Sequence, residues 1–114
     1  MHDPRFDRLA DVLVSFSTHL QKGERVLIDA FDIPPEMTVA LVRAATRAKA
    51  LPYVQIHQAQ VSRALALGVV EEQLEVSSAI ELARMKKMDA YIAVRGGANI
   101  TEQSDLLALL TEKH

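Results

Sequence analysis

Three side chains capable of chemistry each close a short apolar run: Asp29 after Val26–Ile28, His57 after Val54–Ile56, and Arg95 after Tyr91–Val94. Helical sequence separates these runs, the rhythm of a parallel sheet whose carboxyl-end edge carries all three residues. Ligands of open α/β sheets bind at that edge. Asp29 can orient a substrate amine there, cap the following helix or pair with Arg95. His57 can act as a base, although the sequence supplies no evident acid partner for it, and the plainer reading is an imidazole that ends a strand. Arg95-Gly96-Gly97-Ala98-Asn99 reads as a loop after the third strand. Glycines there let backbone amides approach an anion. The pattern is neither G-x-G-x-x-G nor a Walker loop, and the plainer reading is a turn needing positive φ at Gly96 or Gly97. Asp29, Arg95, Gly96, Gly97 and Asn99 are therefore the candidate cleft or domain-interface residues.

Nothing else in the chain forms a catalytic or metal constellation. Cysteine is absent, which removes thiolate sites and disulfides. His2, His19 and His114 lie near the termini or on a helix, and no H-E-x-x-H occurs, so no metal site is expected in this chain. Ser77-Ser78 falls inside a helical stretch with no nucleophile elbow around it. The 114 residues suit one domain, and with 49% hydrophobic residues the chain has the means to build a core. A formal net charge of −2 gives no electrostatic reason for nucleic-acid binding. No apolar run approaches the ~20 residues of a membrane span. A cytoplasmic location is the expectation.

The elements follow from spacing. Asp3-Pro4 is a helix start, and Phe6, Leu9, Leu13, Phe16 and Leu20 make one helical stripe that Gly23 stops. Arg25–Asp29 is a strand covered on both faces. Pro35 opens a second helix whose inner face carries Met37, Ala40, Leu41, Ala44, Ala45 and Ala48. Tyr53–Gln58 alternates and reads as an edge strand. Ser62–Leu67 is a short helix broken at Gly68. Glu71–Met88 is a longer one, acidic first and basic last, which suits the helix dipole. Ala90–Val94 is the third strand, and Ser104 caps a last helix through Leu110. The fold class is α/β, a three-layer domain with a small, mainly parallel sheet flanked by helices. The expected strand order is 2-1-3, with 3-2-1 as the alternative. The expected core is Leu9, Leu13, Val26, Ile28, Leu41, Ile56, Leu82, Ile92 and Val94.

The segment from Met88 to Asp105, MDAYIAVRGGANITEQSD, resembles the strand and loop in the amino-terminal domain of the thermophilic-type metalloaminopeptidases, the aminopeptidase T and aminopeptidase S group. Leu9–Gly23 with Glu24-Arg25-Val26-Leu27-Ile28 is similar to that group's opening helix, K-G-E turn and first strand. Pro34–Ala50 with Leu51-Pro52-Tyr53-Val54 is similar to its second helix and strand. The resemblance implies a larger hydrolase with two divalent metal ions of the zinc or cobalt class, which releases amino-terminal residues from peptides. It places the metal ligands in a carboxyl-terminal catalytic domain, so no position here inherits a catalytic or metal role and this chain alone is expected to be inactive. The implied partners are that domain, peptide substrate and a second copy in a homodimer, with no nucleic acid and no membrane. The alternative is a stand-alone module that binds a small anionic ligand at Arg95–Asn99. The first reading expects an exposed apolar patch where the catalytic domain docks. The second expects a formed pocket.

Overall fold

The computed structural model describes residues 3–96 and the backbone of Leu106–Lys113. β1 (Arg25–Phe31), β2 (Leu51–His57), β3 (Ala90–Gly96) and β4 (Leu106–Lys113) form one sheet in the order β2-β1-β3-β4. β1 pairs in parallel with β2 on one side and β3 on the other, which is the expected 2-1-3 order. The fold is thus a small α/β domain with a mainly parallel sheet flanked by helices.

β4 corrects the expectation of a helix through Leu110. It pairs antiparallel with β3, with a register shift between Ala93 and Val94. A local helix signal lost to a long-range one here. β3 otherwise offers an unpaired row of backbone donors and acceptors, and strand residues take up those groups. Ser104 lies outside the described residues.

The opening helix is also different. α1 (Pro4–Asp11) is capped by Asp3, whose side chain accepts from the Arg5 backbone N–H at 2.9 Å. Two further bonds from the Arg5 guanidinium hold the Asp3 carboxyl below its ordinary value. The chain then widens into a π-helix over Val12–Ser17. Each wider turn rotates later side chains around the axis, so the stripe read at 3.6-residue spacing breaks. Ala10, Leu13 and Val14 turn inward, while Phe16 is 80% exposed. The helix ends before His19, at φ 56°, rather than at Gly23. Gly23, at φ +81°, makes the tight turn into β1, and its N–H donates to the Lys49 carbonyl at 2.8 Å.

One face of the sheet, built from Val26, Ile28, Ala90, Ile92 and Val94, packs against Leu13 and Val14 and against Met37, Leu41, Ala44 and Ala45 of α2 (Pro35–Arg47). Alanines on α2 let the helix lie close to the strands. Leu9 sits at the margin of this core. Ile56 is not in it. β2 is the outer strand, and Ile56 projects beyond the helices at 67% exposure. Leu82 is not in it either.

Leu82 lies on α4 (Glu71–Lys86), which with α3 (Ala59–Leu67) carries the chain from β2 to β3. The connections β1 to β2 and β2 to β3 travel in opposite directions across the sheet. Right-handed crossovers then belong to opposite faces, so α3 and α4 pertain to the face that α2 leaves open. Yet every residue from 58 to 80 is exposed, and neither helix has a buried residue.

Truncation separates the two helical layers. Leu41→Ala removes a fully buried side chain and is expected to cost about 2–5 kcal/mol. Leu82→Ala changes an exposed position and is expected to stay within about 0.5 kcal/mol. Urea unfolding followed by circular dichroism measures both. Equal losses would show that α4 shares the core.

Candidate functional site

Strand parity builds the site. The register places Leu27 beside Tyr53 and Tyr91, Asp29 beside Gln55 and Ala93, and Phe31 beside His57 and Arg95. Side chains alternate faces along a strand, so these nine residues share the face opposite α2. At its carboxyl end the bottom-to-top order is aromatic, acidic, then aromatic and cationic.

Asp29 is the hub. Its side chain is 6% exposed, and both of its oxygens are engaged. His57 Nε2 lies 3.0 Å from Oδ1, and the Tyr91 hydroxyl donates to Oδ2. A carboxylate only accepts, so with Asp29 ionised the Nε2 carries the proton and the tautomer of His57 is set. The two bonds tie β2, β1 and β3 together through one side chain. A buried carboxylate on a central strand is costly unless its oxygens are satisfied, and here they are.

The rung above is a stack. The Phe31 and His57 rings lie 4.3 Å apart at 7°, and the Arg95 guanidinium sits 5.0 Å from the Phe31 centroid. The Phe31 ring therefore receives the imidazole on one side and a cation–π contact from Arg95. One residue further on, Asp32 turns with φ 55°. Its N–H donates to the His57 carbonyl at 3.1 Å, and its Oδ1 accepts from the Ala59 N–H at 3.0 Å. Asp32 thereby caps α3 and fixes the backbone on which His57 sits.

Several expectations change. Asp29 neither pairs with Arg95 nor caps α2, whose start is at Pro34 and Pro35. His57 does have an acid partner, 28 residues back in the chain. Arg95 is held by an aromatic ring rather than by a carboxylate. Gly96 extends β3 and pairs with Leu106 instead of opening a turn. Gly97 and Asn99, the other candidate cleft residues, lie outside the described residues. Tyr91, Phe31 and Asp32 belong to the cluster although the sequence reading passed over them. The signal for Tyr91 and Phe31 was parity: once strands 1 and 3 are adjacent, odd-numbered residues face one another.

Chemically, the cluster is an imidazole oriented by a carboxylate and flattened against a ring. It can hold a proton at a fixed atom. Among the described residues no hydroxyl, thiol or amine side chain is bonded to His57, and no group of three His, Cys, Asp or Glu side chains could hold a metal ion. A separate cleft of about 250 Å³ lies between α1 and α2, beside Phe6, Asp7, Glu36, Val39 and Arg43. It shares no residue with the strand-end cluster. No family model matches the chain, and no curated protein is significantly similar to it in sequence.

Tyr91→Phe deletes one bond to a buried carboxylate and is expected to cost about 1–3 kcal/mol of folding free energy. Asp29→Leu leaves both the His57 Nε2 and the Tyr91 hydroxyl without their acceptor. In nitrogen NMR of the imidazole, the wild-type ring should report the Nε2–H tautomer, and Asp29→Leu should release it to the mixture of an unconstrained histidine. A wild-type ring already in that mixture would contradict the hub.

Proposed function

We propose that this chain is the amino-terminal, non-catalytic domain of a two-domain, metal-dependent aminopeptidase. Its role is to pack against the catalytic domain and help to enclose a peptide site built there. The observation that carries this reading is the helical layer. Val61, Leu65, Leu74, Ile80 and Leu82 on α3 and α4 are 53%, 62%, 56%, 58% and 58% exposed. A domain that leaves the apolar residues of two consecutive crossover helices in water lacks the surface that covers them. Burying such side chains is worth about 25 cal/mol per Å², enough to hold a second domain in place.

The chemistry agrees with an accessory role. Two-metal hydrolysis needs several acidic or imidazole ligands around ions about 3.5–4 Å apart. Asp29 and His57 are committed to each other, and Asp32 to α3. The arrangement orders the carboxyl-end edge of the sheet rather than presenting open ligands. In this reading the His57–Phe31–Arg95 rung is a rigid rim on the enclosure, and no cofactor belongs to the domain itself.

The test compares the 114-residue chain with the product of the same reading frame extended downstream. Each is incubated with zinc, cobalt or manganese and an amino-acid anilide. The extended product is expected to release the anilide in a metal-dependent way, and the short chain is not. Release by the short chain, or a reading frame that stops after His114, would overturn the proposal. In the extended product, Leu74→Glu with Ile80→Glu is expected to lower the melting temperature by several degrees, while the same pair leaves the short chain unchanged.

A further inference from the structure

We infer that α4 carries a helix-binding trough whose occupant is an amphipathic helix of the covering domain, antiparallel to α4, with an acidic first turn and a basic last turn. The inference rests on the proposed reading that another domain covers α3 and α4, and it names the element that does so.

The trough follows from spacing. Leu74, Ser78, Leu82 and Met85 are four, four and three residues apart, so they share one face of α4. Ser78 is the small residue in that row, and Ser77 stands beside it. Three hollows result, and each runs into the next. The first, of about 330 Å³, is lined by Leu65, Ala66 and Val69 on the side of α3 and by Leu74 and Ser77 of α4. The second, of about 540 Å³, continues from Ser77 past Leu82 to Met85. The third carries on from Leu82 and Met85 to Met88. From Leu74 to Met85 the trough is about 16 Å long at 1.5 Å per residue, or three helical turns. An apolar trough of that length suits a helix laid along it.

Charge fixes the occupant and its direction. Glu71 and Glu75 lie one turn apart at the start of α4, while Lys86 closes its last turn and lines the far hollow. Among the described residues no cation pairs with Glu71 or Glu75, and no carboxylate pairs with Lys86. Glu81, midway along, is already answered by Arg84 at 2.6 Å. The trough is therefore complementary to cations at one end, apolar side chains along the middle and a carboxylate at the other end. A helix stabilises acidic residues in its first turn and basic residues in its last. Such a helix satisfies both ends of the trough only when it runs opposite to α4.

Shape separates this occupant from another α4. A second α4 has the same order of charges, but its trough is hollow at the same place. Two copies would set Ser77 and Ser78 against Ser77 and Ser78 and leave the middle unfilled, against the close packing of protein interiors. The occupant instead presents large apolar side chains at its centre, which fill the space above the serines.

The probe is a synthetic peptide of about 14 residues with a leucine stripe at helical spacing, glutamates in its first turn and lysines in its last. It is expected to bind the 114-residue chain, read by fluorescence anisotropy. With a nitroxide at its carboxyl end it should broaden the NMR amide signals of Glu71–Glu75 and spare those of Arg84–Met88. Ser78→Trp fills the middle of the trough from an exposed position. It is expected to weaken binding about tenfold or more while leaving the circular dichroism spectrum unchanged. Absence of binding, broadening at the Arg84–Met88 end, or an affinity indifferent to Ser78→Trp would each overturn the inference. So would a dimer of the chain that Ser78→Trp abolishes, since a second copy would then be the occupant. In the product extended downstream, Ser78→Trp is expected to lower the hydrogen-exchange protection of α4. Protection gained on extension but untouched by Ser78→Trp would overturn the trough and leave the covering domain standing. No gain in protection on extension would remove both.

Discussion

The structure depends on β1 being satisfied on four sides at once. It pairs with β2 and β3 along both edges, and residues Val26 to Ala30 are buried on both faces. One of those residues is Asp29. Placing a carboxylate in the middle of a buried strand forces the neighbouring strands to supply donors, and β2 and β3 each supply one. Sheet order, register and the orientation of His57 are therefore a single constraint. A shift of β2 by one residue would move His57 to the other face and strand the carboxylate.

From that hub the asymmetry of the domain follows. The face with Ile28 and Ile92 is apolar and holds α1, the π-helical turn and α2 in one core. The face with Asp29 is closed locally by Tyr91, His57 and Phe31, which contact it directly or through the stack. Polar closure of this kind leaves little apolar surface for α3 and α4 to bury. Those helices consequently keep their leucines, valines and isoleucine in water. The domain has one buried helical layer and one whose apolar side chains stay exposed, while its outer strand β2 leaves an uncharged edge.

Much of the fold was legible in the sequence. The apolar run Val26–Ile28, the alternation through Gln55 and His57, and the apolar run Ala90–Val94 pointed to three parallel strands, while their order stayed open between 2-1-3 and 3-2-1 until the pairing of β1 with both neighbours decided it. What was not legible has physical causes. The leucine run after Ser104 suits a helix or a strand equally, and only the open edge of β3 decides between them. The stripe from Phe6 to Leu20 assumes constant winding, which the π-helix breaks after Asp11. Ile56 and Leu82 have core-type side chains, but an outer strand and an uncovered helix expose them. The site was half legible. Asp29, His57 and Arg95 were placed at one edge, but their actual partners depend on face parity across strands, which appears only once neighbours are known. Hence His57 looked partnerless when its acid was Asp29.

The central claim is that α3 and α4 form an unfinished layer, completed by another domain. Amide hydrogen exchange measures this directly. In the 114-residue chain, β1 amides should exchange only through global unfolding, and those of α3 and α4 through local opening of far lower free energy. In the product extended by its downstream sequence, protection of α3 and α4 should rise by orders of magnitude, with β1 ordered as before. Equal protection of α3 and α4 in the two forms would contradict the account.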